Sequence, residues 1–327
     1  MTHPATSAGP FVSVIIPAYK VTEFVADAVR SALAQTYPNR EVIVVNDGTP
    51  DTEALEAALA PFRADIVYLV KKNGGLSSAR NTGISASSGE YVALLDADDL
   101  WLPHYLEDQV ARVMADRSAD VCYGDAEIFG DVPHAGRRFM EFSPSVGEVT
   151  FESLVTQRCN VMVSALVHRS VFDRVGLFDE ALKSSEDFDL WLRLAHAGAR
   201  FNYTRRVLAR YRKRSGSLSS DPAWMCRSIV KVLDKCLAQM DLTEAERQLV
   251  AAQRAHFAAL EGFHEGKRAF FRGDFATARE ALGEANRTMR SVKLGVILLV
   301  LHTAPGLVSL LYDVRDRLLF GGTRTKY

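Results

Sequence analysis

The sequence predicts a doubly wound α/β domain with a mostly parallel sheet and helices on both faces, followed by an all-helical region. Three observations carry this. Short apolar runs alternate with amphipathic stretches from residue 11 to about residue 95, the runs are apolar on both faces, and strand-like patterning stops beyond Ala223. The 327 residues are enough for one domain of about 200 residues and an appendage of about 100.

The apolar runs are residues 12–16, 41–45, 66–70 and 91–95, each rich in β-branched or aromatic side chains. Helical spacing marks 22–35, 51–62 and 75–85 between them. Four βα units in series build a parallel sheet covered on both sides. After Asp99 the pattern is mixed. A helix is expected over 103–116, strands near 121–123 and 161–167, a helix from Ser185 carrying Phe188, Leu190, Trp191 and Leu194, and a last strand or two within 200–211. The Ser- and Gly-rich stretch 215–222 reads as a loop and boundary. Within the helical part, 262–286 resembles one tetratricopeptide-type pair, but a single copy fits a generic helical hairpin better. The expected organisation is a flexible 1–10, an α/β domain over 11–220, a helical domain over 221–291 and an apolar, basic tail over 292–327.

A formal net charge of -1 argues against nucleic acid as a partner, since duplex binding needs a basic face. Cys122, Cys159, Cys226 and Cys236 are scattered without a CxxC pair, which fits a reducing compartment and gives no zinc site. Residues 1–10 show neither a basic n-region nor an apolar h-region, so no signal peptide is expected and a cytoplasmic location follows.

Ligands of such sheets bind at the carboxyl ends of the strands, so the residues after each run matter most. They read Pro17-Ala18-Tyr19, Asn46-Asp47-Gly48-Thr49 and Asp96-Ala97-Asp98-Asp99. Three carboxylates crowded at one strand end repel one another, and a hard divalent cation, Mg²⁺ or Mn²⁺, relieves that repulsion. A solvated acidic turn capping the next helix is the alternative. Asp47 could accept the imide N–H of a uracil or thymine ring, or simply belong to a βα turn in which Thr49 caps a helix. Ser184 and Asp187 match a capping box; the functional alternative makes Asp187 a general base, with the helix N-terminus lowering its pKa.

Taken in order, these motifs resemble family 2 of the glycosyltransferases, with the GT-A fold. The resemblance rests on Val12-Ser13-Val14-Ile15-Ile16-Pro17-Ala18-Tyr19, on Ser31 to Tyr37, on Glu41 to Gly48, on Gly75-Leu76-Ser77-Ser78-Ala79-Arg80-Asn81 and on Gly89-Glu90-Tyr91 leading into the Asp-x-Asp-Asp element. Gly176 to Glu180 and Glu186-Asp187-Phe188-Asp189-Leu190-Trp191 complete it, so that it covers residues 11–220. It implies an inverting, metal-dependent transferase of hexosyl type. Pro17, Ala18, Tyr19 and Asp47 would line the nucleoside pocket, Arg80 would help hold the donor, and Asp96 would sit near the ribose. Asp98, with Asp99 nearby, would coordinate Mn²⁺ or Mg²⁺ on the diphosphate. Asp187 would deprotonate the acceptor while Glu186 orients it, and Arg212 and Arg214, within a segment over the phosphates, would neutralise charge. Two departures stand out. Asn46 replaces the more usual Asp, and the His that some members carry near Arg214 as a further metal ligand is missing.

A nicotinamide-dependent oxidoreductase would need glycines after the first strand, where Pro17-Ala18-Tyr19-Lys20 has none. A nucleotidyltransferase would want a glycine-rich basic loop at the same place. An inactive sugar-nucleotide-binding scaffold with a partner-binding helical tail is the alternative from another class. The implied partners are a nucleotide-diphospho-sugar donor, UDP favoured, and a glycan or lipid-linked acceptor in cell-surface glycan or polysaccharide assembly. The tail over 292–311 is apolar and flanked by Arg287, Arg290 and Lys293 before it and Arg315, Arg317, Arg324 and Lys326 after it. Lys293, His302 and the Pro305-Gly306 break disfavour a straight span, so the tail is expected to lie on the inner face of the cell membrane, the alternative being that 296–301 and 307–311 pack onto the helical domain.

Overall fold

The computed structural model describes residues 9–214, 217 and 220–303. The chain forms two compact units, Met1–Ser217 and Leu218–Tyr327. Most of the flexible stretch expected at 1–10, half of the loop at 215–222 and the tail beyond Thr303 lie outside the described residues.

In the first unit the strands are β1 (Val12–Ala18), β2 (Arg40–Asn46), β3 (Val67–Val70), β4 (Tyr91–Leu94), β5 (Leu100–Trp101), β6 (Val121–Phe129), β7 (Ala165–His168) and β8 (Phe201–Arg212). They make one sheet in the order β3-β2-β1-β4-β7-β6-β8-β5. β1 pairs in parallel with β2 and β4, β2 with β3, and β6 with β8. β7 runs against β4 and β6, and β5 against β8, so the sheet is mixed but mostly parallel. All seven residues of β1 are buried, the signature of a central strand covered on both faces.

The helices of this unit are α1 (Thr22–Leu33), α2 (Thr52–Leu59), α3 (Leu76–Ala86), α4 (Tyr105–Ala115), α5 (Phe151–Val155), α6 (Ser170–Val175) and α7 (Glu186–His196). α1 buries Val25, Ala28, Val29 and Ala32, an i, i+3, i+4, i+7 stripe facing the sheet. α3 approaches β1 so closely that a Cβ on Gly83 would lie 2.4 Å from Ile15 Cγ2; only glycine lets this helix settle there. The placement matters because α3 carries Arg80.

β6 is longer than the expected 121–123 and reaches Phe129, although it contains Gly124, Asp125 and Glu127. Pairing with the twelve-residue β8 overrides the poor local propensity, and the register slips around Asp125 as a bulge. β7 conversely starts at Ala165, not 161. The carboxyl ends of β1, β2 and β4 share one edge of the sheet, and β8 ends beside the turn that follows β4.

The second unit is helical throughout its described residues: α8 (Pro222–Gln239), α9 (Glu244–Phe271), α10 (Phe275–Met289) and α11 (Val292–Thr303). α9 and α10 are joined at Gly273, whose φ of +81° suits glycine after a helix end, and Asp274 caps α10 through the Thr277 N–H. Ala269, Phe270, Ala278, Leu282, Leu294 and Leu301 form its core, with Leu282 seated against Gly266. At 28 residues α9 exceeds a single repeat helix. Among the described residues no helix is long and apolar enough to cross a membrane.

Candidate active site

The acids after β4 are held in a tight turn, with the Asp99 N–H bonded to the Asp96 carbonyl. Asp99 is 1% exposed and its Oδ1 accepts the backbone N–H of Arg212 at 2.7 Å. Burial first, then the charges of Asp96 and Asp98, push its carboxyl well above the ordinary range. Asp99 therefore anchors the end of β8 to the turn. Asp98 is more open. Its Oδ2 accepts Arg214 Nε at 3.2 Å, and burial and Asp96 raise its pKa against the pull of Arg214. Arg212 donates Nε to the Asp98 carbonyl at 2.7 Å and lies over the rings of Phe24 and Phe129, at 4.5 and 4.3 Å. It braces the turn, whereas Arg214 meets the carboxylate.

The described residues gather no group of three or more acidic, His or Cys side chains fit to cage a metal. One or two carboxylates are what Mg²⁺ ordinarily takes from a protein when phosphate oxygens supply the rest. Asp98, a hard donor on a crowded acidic turn, fits a cation held jointly with a diphosphate.

Arg80, on α3, is 1% exposed. Its Nη2 donates to Asp96 Oδ1 at 2.7 Å and its Nη1 to Glu186 Oε1 at 2.5 Å, while the guanidinium lies 5.3 Å from the Phe178 ring. Burial alone would lower its pKa, but the two carboxylates overcome that and raise it. This arginine is buried beneath Asp96 and Glu186, its two ion-pair partners. Asn81 ties the same helix to the following loop, donating to the Phe178 carbonyl and accepting the Phe178 N–H.

Glu186 and Asp187 open α7. Glu186 is buried against Arg80, while Asp187 keeps partial access to solvent. The residue preceding α7 is Ser185, one beyond the Ser184 of the expected capping box. Ser185 precedes the helix with a left-handed φ of 60° and no side-chain cap, and Asp187 Oδ1 accepts the adjacent Phe188 N–H at 2.8 Å. Left-handed serine is strained, and such strain gathers at functional sites. The expected lowering of the Asp187 pKa is also reversed. Burial, then the charge of Glu186, lift it to about 7, against the opposing effect of Arg80.

Asp47 is buried at the end of β2. Its Oδ1 accepts Lys71 Nζ at 2.8 Å and the Gly74 N–H at 3.0 Å, and its Oδ2 accepts the Gly75 N–H at 2.8 Å. The carboxylate thus shapes the turn that launches α3. Asn46 donates to Tyr68 Oη and Thr52 Oγ1 and accepts the Thr49 N–H, a structural hub in place of an acid. Pro17 and Ala18 are buried, while Tyr19 is 41% exposed at the rim. Lys71 and the two glycine N–H groups escaped the sequence reading. They follow β3, and the strand-end rule applied to that strand points straight at them.

The model of Glycosyl transferase family 2 matches residues 13–176, half of the chain, and the chain belongs to that family. An uncharacterized glycosyltransferase of Rickettsia felis is 33% identical over 215 residues, 64% of this chain and 35% of that protein. The chain spans about a third of the length of the first such curated relatives. Among solved structures, S. aureus TarS 1–349 in complex with UDP superposes with a TM-score of 0.59 at 17% identity, over 86% of this chain and 92% of that one. The mannosyltransferase PcManGT of Pyrobaculum calidifontis, in complex with GDP-Man and Mn²⁺, gives 0.61 at 18%, over 96% and 88%. At these identities the likeness shows the GT-A fold.

An aspartate whose folded pKa of about 7 exceeds its ordinary 3.8 lowers stability as pH rises between those values. Asp187→Asn should therefore match the wild-type Tm below pH 4 and exceed it progressively up to pH 7, levelling above. Thermal melts across that range check this; a constant difference would contradict it.

Proposed function

We propose that this chain transfers a sugar from a nucleotide diphosphate, UDP favoured, to a hydroxyl of a glycan or lipid-linked acceptor in polysaccharide assembly, with inversion at the anomeric carbon. The observation that carries the reading is that Arg80 joins Asp96, two residues before Asp98, to Glu186, the residue before Asp187, so the two candidate acids flank one ion-paired network. Asp187 accepts the acceptor hydroxyl proton while that oxygen bonds to C1 and the C1–diphosphate bond breaks, its electron pair leaving with the diphosphate. A base with a pKa near the working pH balances availability against proton affinity. Arg214 lies where leaving-group charge gathers, and Asp98 is the residue to hold a divalent cation there. A bound Mn²⁺ or Mg²⁺ would supply charge neutralisation at the leaving oxygen. Asp99 would serve from beneath, by fixing the turn.

The nucleotide complexes of the two solved neighbours support a nucleotide-sugar donor. Asp47 Oδ2 has one described bond, which leaves a lone pair for an imide N–H and favours uridine. Glu186, committed to Arg80 through Oε1, would orient the acceptor only through its other oxygen. One screen tests the reading: nucleotide release from UDP- and GDP-sugars by wild type, Asp98→Ala and Asp187→Asn, with and without chelator. Release should favour UDP-sugars, need Mn²⁺ or Mg²⁺, and drop about 10²- to 10⁴-fold in Asp187→Asn. Full activity of Asp98→Ala in chelator would overturn the metal role, and no release from any donor would favour a binding scaffold.

The described part of the apolar tail supports attachment to a membrane surface. α11 turns Leu294 and Leu301 into the helical core but leaves Val292, Val296 and Leu299 83%, 57% and 65% exposed. Spacing of i, i+4, i+7 makes these one stripe. Arg287, Arg290 and Lys293 adjoin it, and the basic residues from Arg315 to Lys326 lie outside the described residues. Such a face suits an anionic leaflet at the inner side of the cell membrane. Flotation with anionic liposomes should capture the protein at low salt and release it at high salt, and Leu299→Asp should abolish capture. Equal capture by neutral liposomes, or none by anionic ones, would contradict the attachment.

A further inference from the structure

Arg80 stands apart from the cations discussed above because it is almost fully enclosed, with no direct path to a ligand. A buried guanidinium is costly unless its charge is met, and here it is met from two directions. Asp96 follows β4 and is a quarter exposed; Glu186 begins α7 and is buried. Nothing local in the chain relates them: Arg80 and Glu186 are 106 residues apart, Arg80 and Asp96 16 apart. The Nε of Arg80 is buried without a hydrogen-bond partner, so the hydrogen bonds of the guanidinium run through its two Nη atoms.

The consequence falls on the next residue. Four charged groups meet here: Glu186 and Asp187 on α7, Arg80 on α3, and Asp96 after β4. Farther along α7, Asp189 is paired with Arg193 at 2.9 Å. Among the described residues named here, three carboxylates share one cation, Arg80. Its placement also fixes where the head of α7 sits relative to the strand ends.

Building on the transferase reading above, we propose that Arg80 is a positioning residue: it straps the acid after β4 to the head of α7 and, by neutralising Glu186, keeps the Asp187 carboxylate ready to take a proton. Removing the cation disfavours the charged form of Asp187, and removing Glu186's charge favours it. The two changes therefore move the titration of Asp187 in opposite directions, which a purely structural role does not do.

The experiment follows that titration without relying on turnover. In each of four backgrounds, wild type, Arg80→Gln, Arg80→Lys and Glu186→Gln, the Tm of the protein is compared with that of its Asp187→Asn counterpart as a function of pH. The difference inflects where Asp187 titrates, at about 7 in the wild type. Arg80→Gln should raise the inflection by about one to two pH units, and Glu186→Gln should lower it by a similar amount. Arg80→Lys keeps the charge while losing the two-armed geometry, so it should lie between wild type and Arg80→Gln. The acid limb of kcat should move with the inflection in each variant. An inflection unmoved in Arg80→Gln, or unmoved or raised in Glu186→Gln, overturns the proposal. If Arg80→Gln does not fold, Glu186→Gln decides alone. Shifts of the predicted sign in a protein that transfers no sugar would uphold the strap and refute the transferase reading instead.

Discussion

The enclosed guanidinium of Arg80 is the constraint around which this site is organised. A cation 1% exposed demands anionic partners, and the partners come from different parts of the fold, the turn after β4 and the first residue of α7. α3 reaches that position only because Gly83 lets it lie against Ile15. Asp47, by holding the Gly74 and Gly75 N–H groups, fixes where the same helix starts. Three glycines and a carboxylate thus help to fix where α3 presents Arg80.

A second brace works on the opposite side of the acidic turn. Asp99 holds the Arg212 backbone from below and Arg212 holds the Asp98 carbonyl from above, between Phe24 and Phe129. Asp98 is left as the acid whose carboxylate faces an arginine that is not otherwise committed among the described ion pairs, Arg214. Burial first, and then crowding of like charge, raises the pKa of both Asp98 and Asp99. That electrostatic tension is what a cation or the basic end of β8 relieves.

The first four strands were legible in the sequence because both of their faces are covered, which makes each a continuous apolar run. β5, α5 and α6 were not, since elements of two to six residues leave too short a pattern, and β6 was cut short because Gly124 and Asp125 disguise a strand that β8 sustains. Within the site, motif order pointed to Asp98 and Asp187 as candidates, but no local spacing relates Arg80 to Glu186. The charge state of Asp187 was misjudged for a related reason. The helix N-terminus is visible in sequence, while burial and the enclosing carboxylates exist only once the chain is folded. Lys71 carries no local signal of its tie to Asp47, which spans 24 residues and exists only in the folded sheet.

The proposed function makes Asp187 the base toward an acceptor and commits the remaining charges to the leaving group or to holding that base. Its central claim is a single displacement. The most direct measurement is the anomeric configuration of the product formed from an α-linked nucleotide sugar, read from the anomeric proton coupling by NMR. A β-linked product is predicted; an α-linked product would require a second, intermediate-forming nucleophile and would contradict the account.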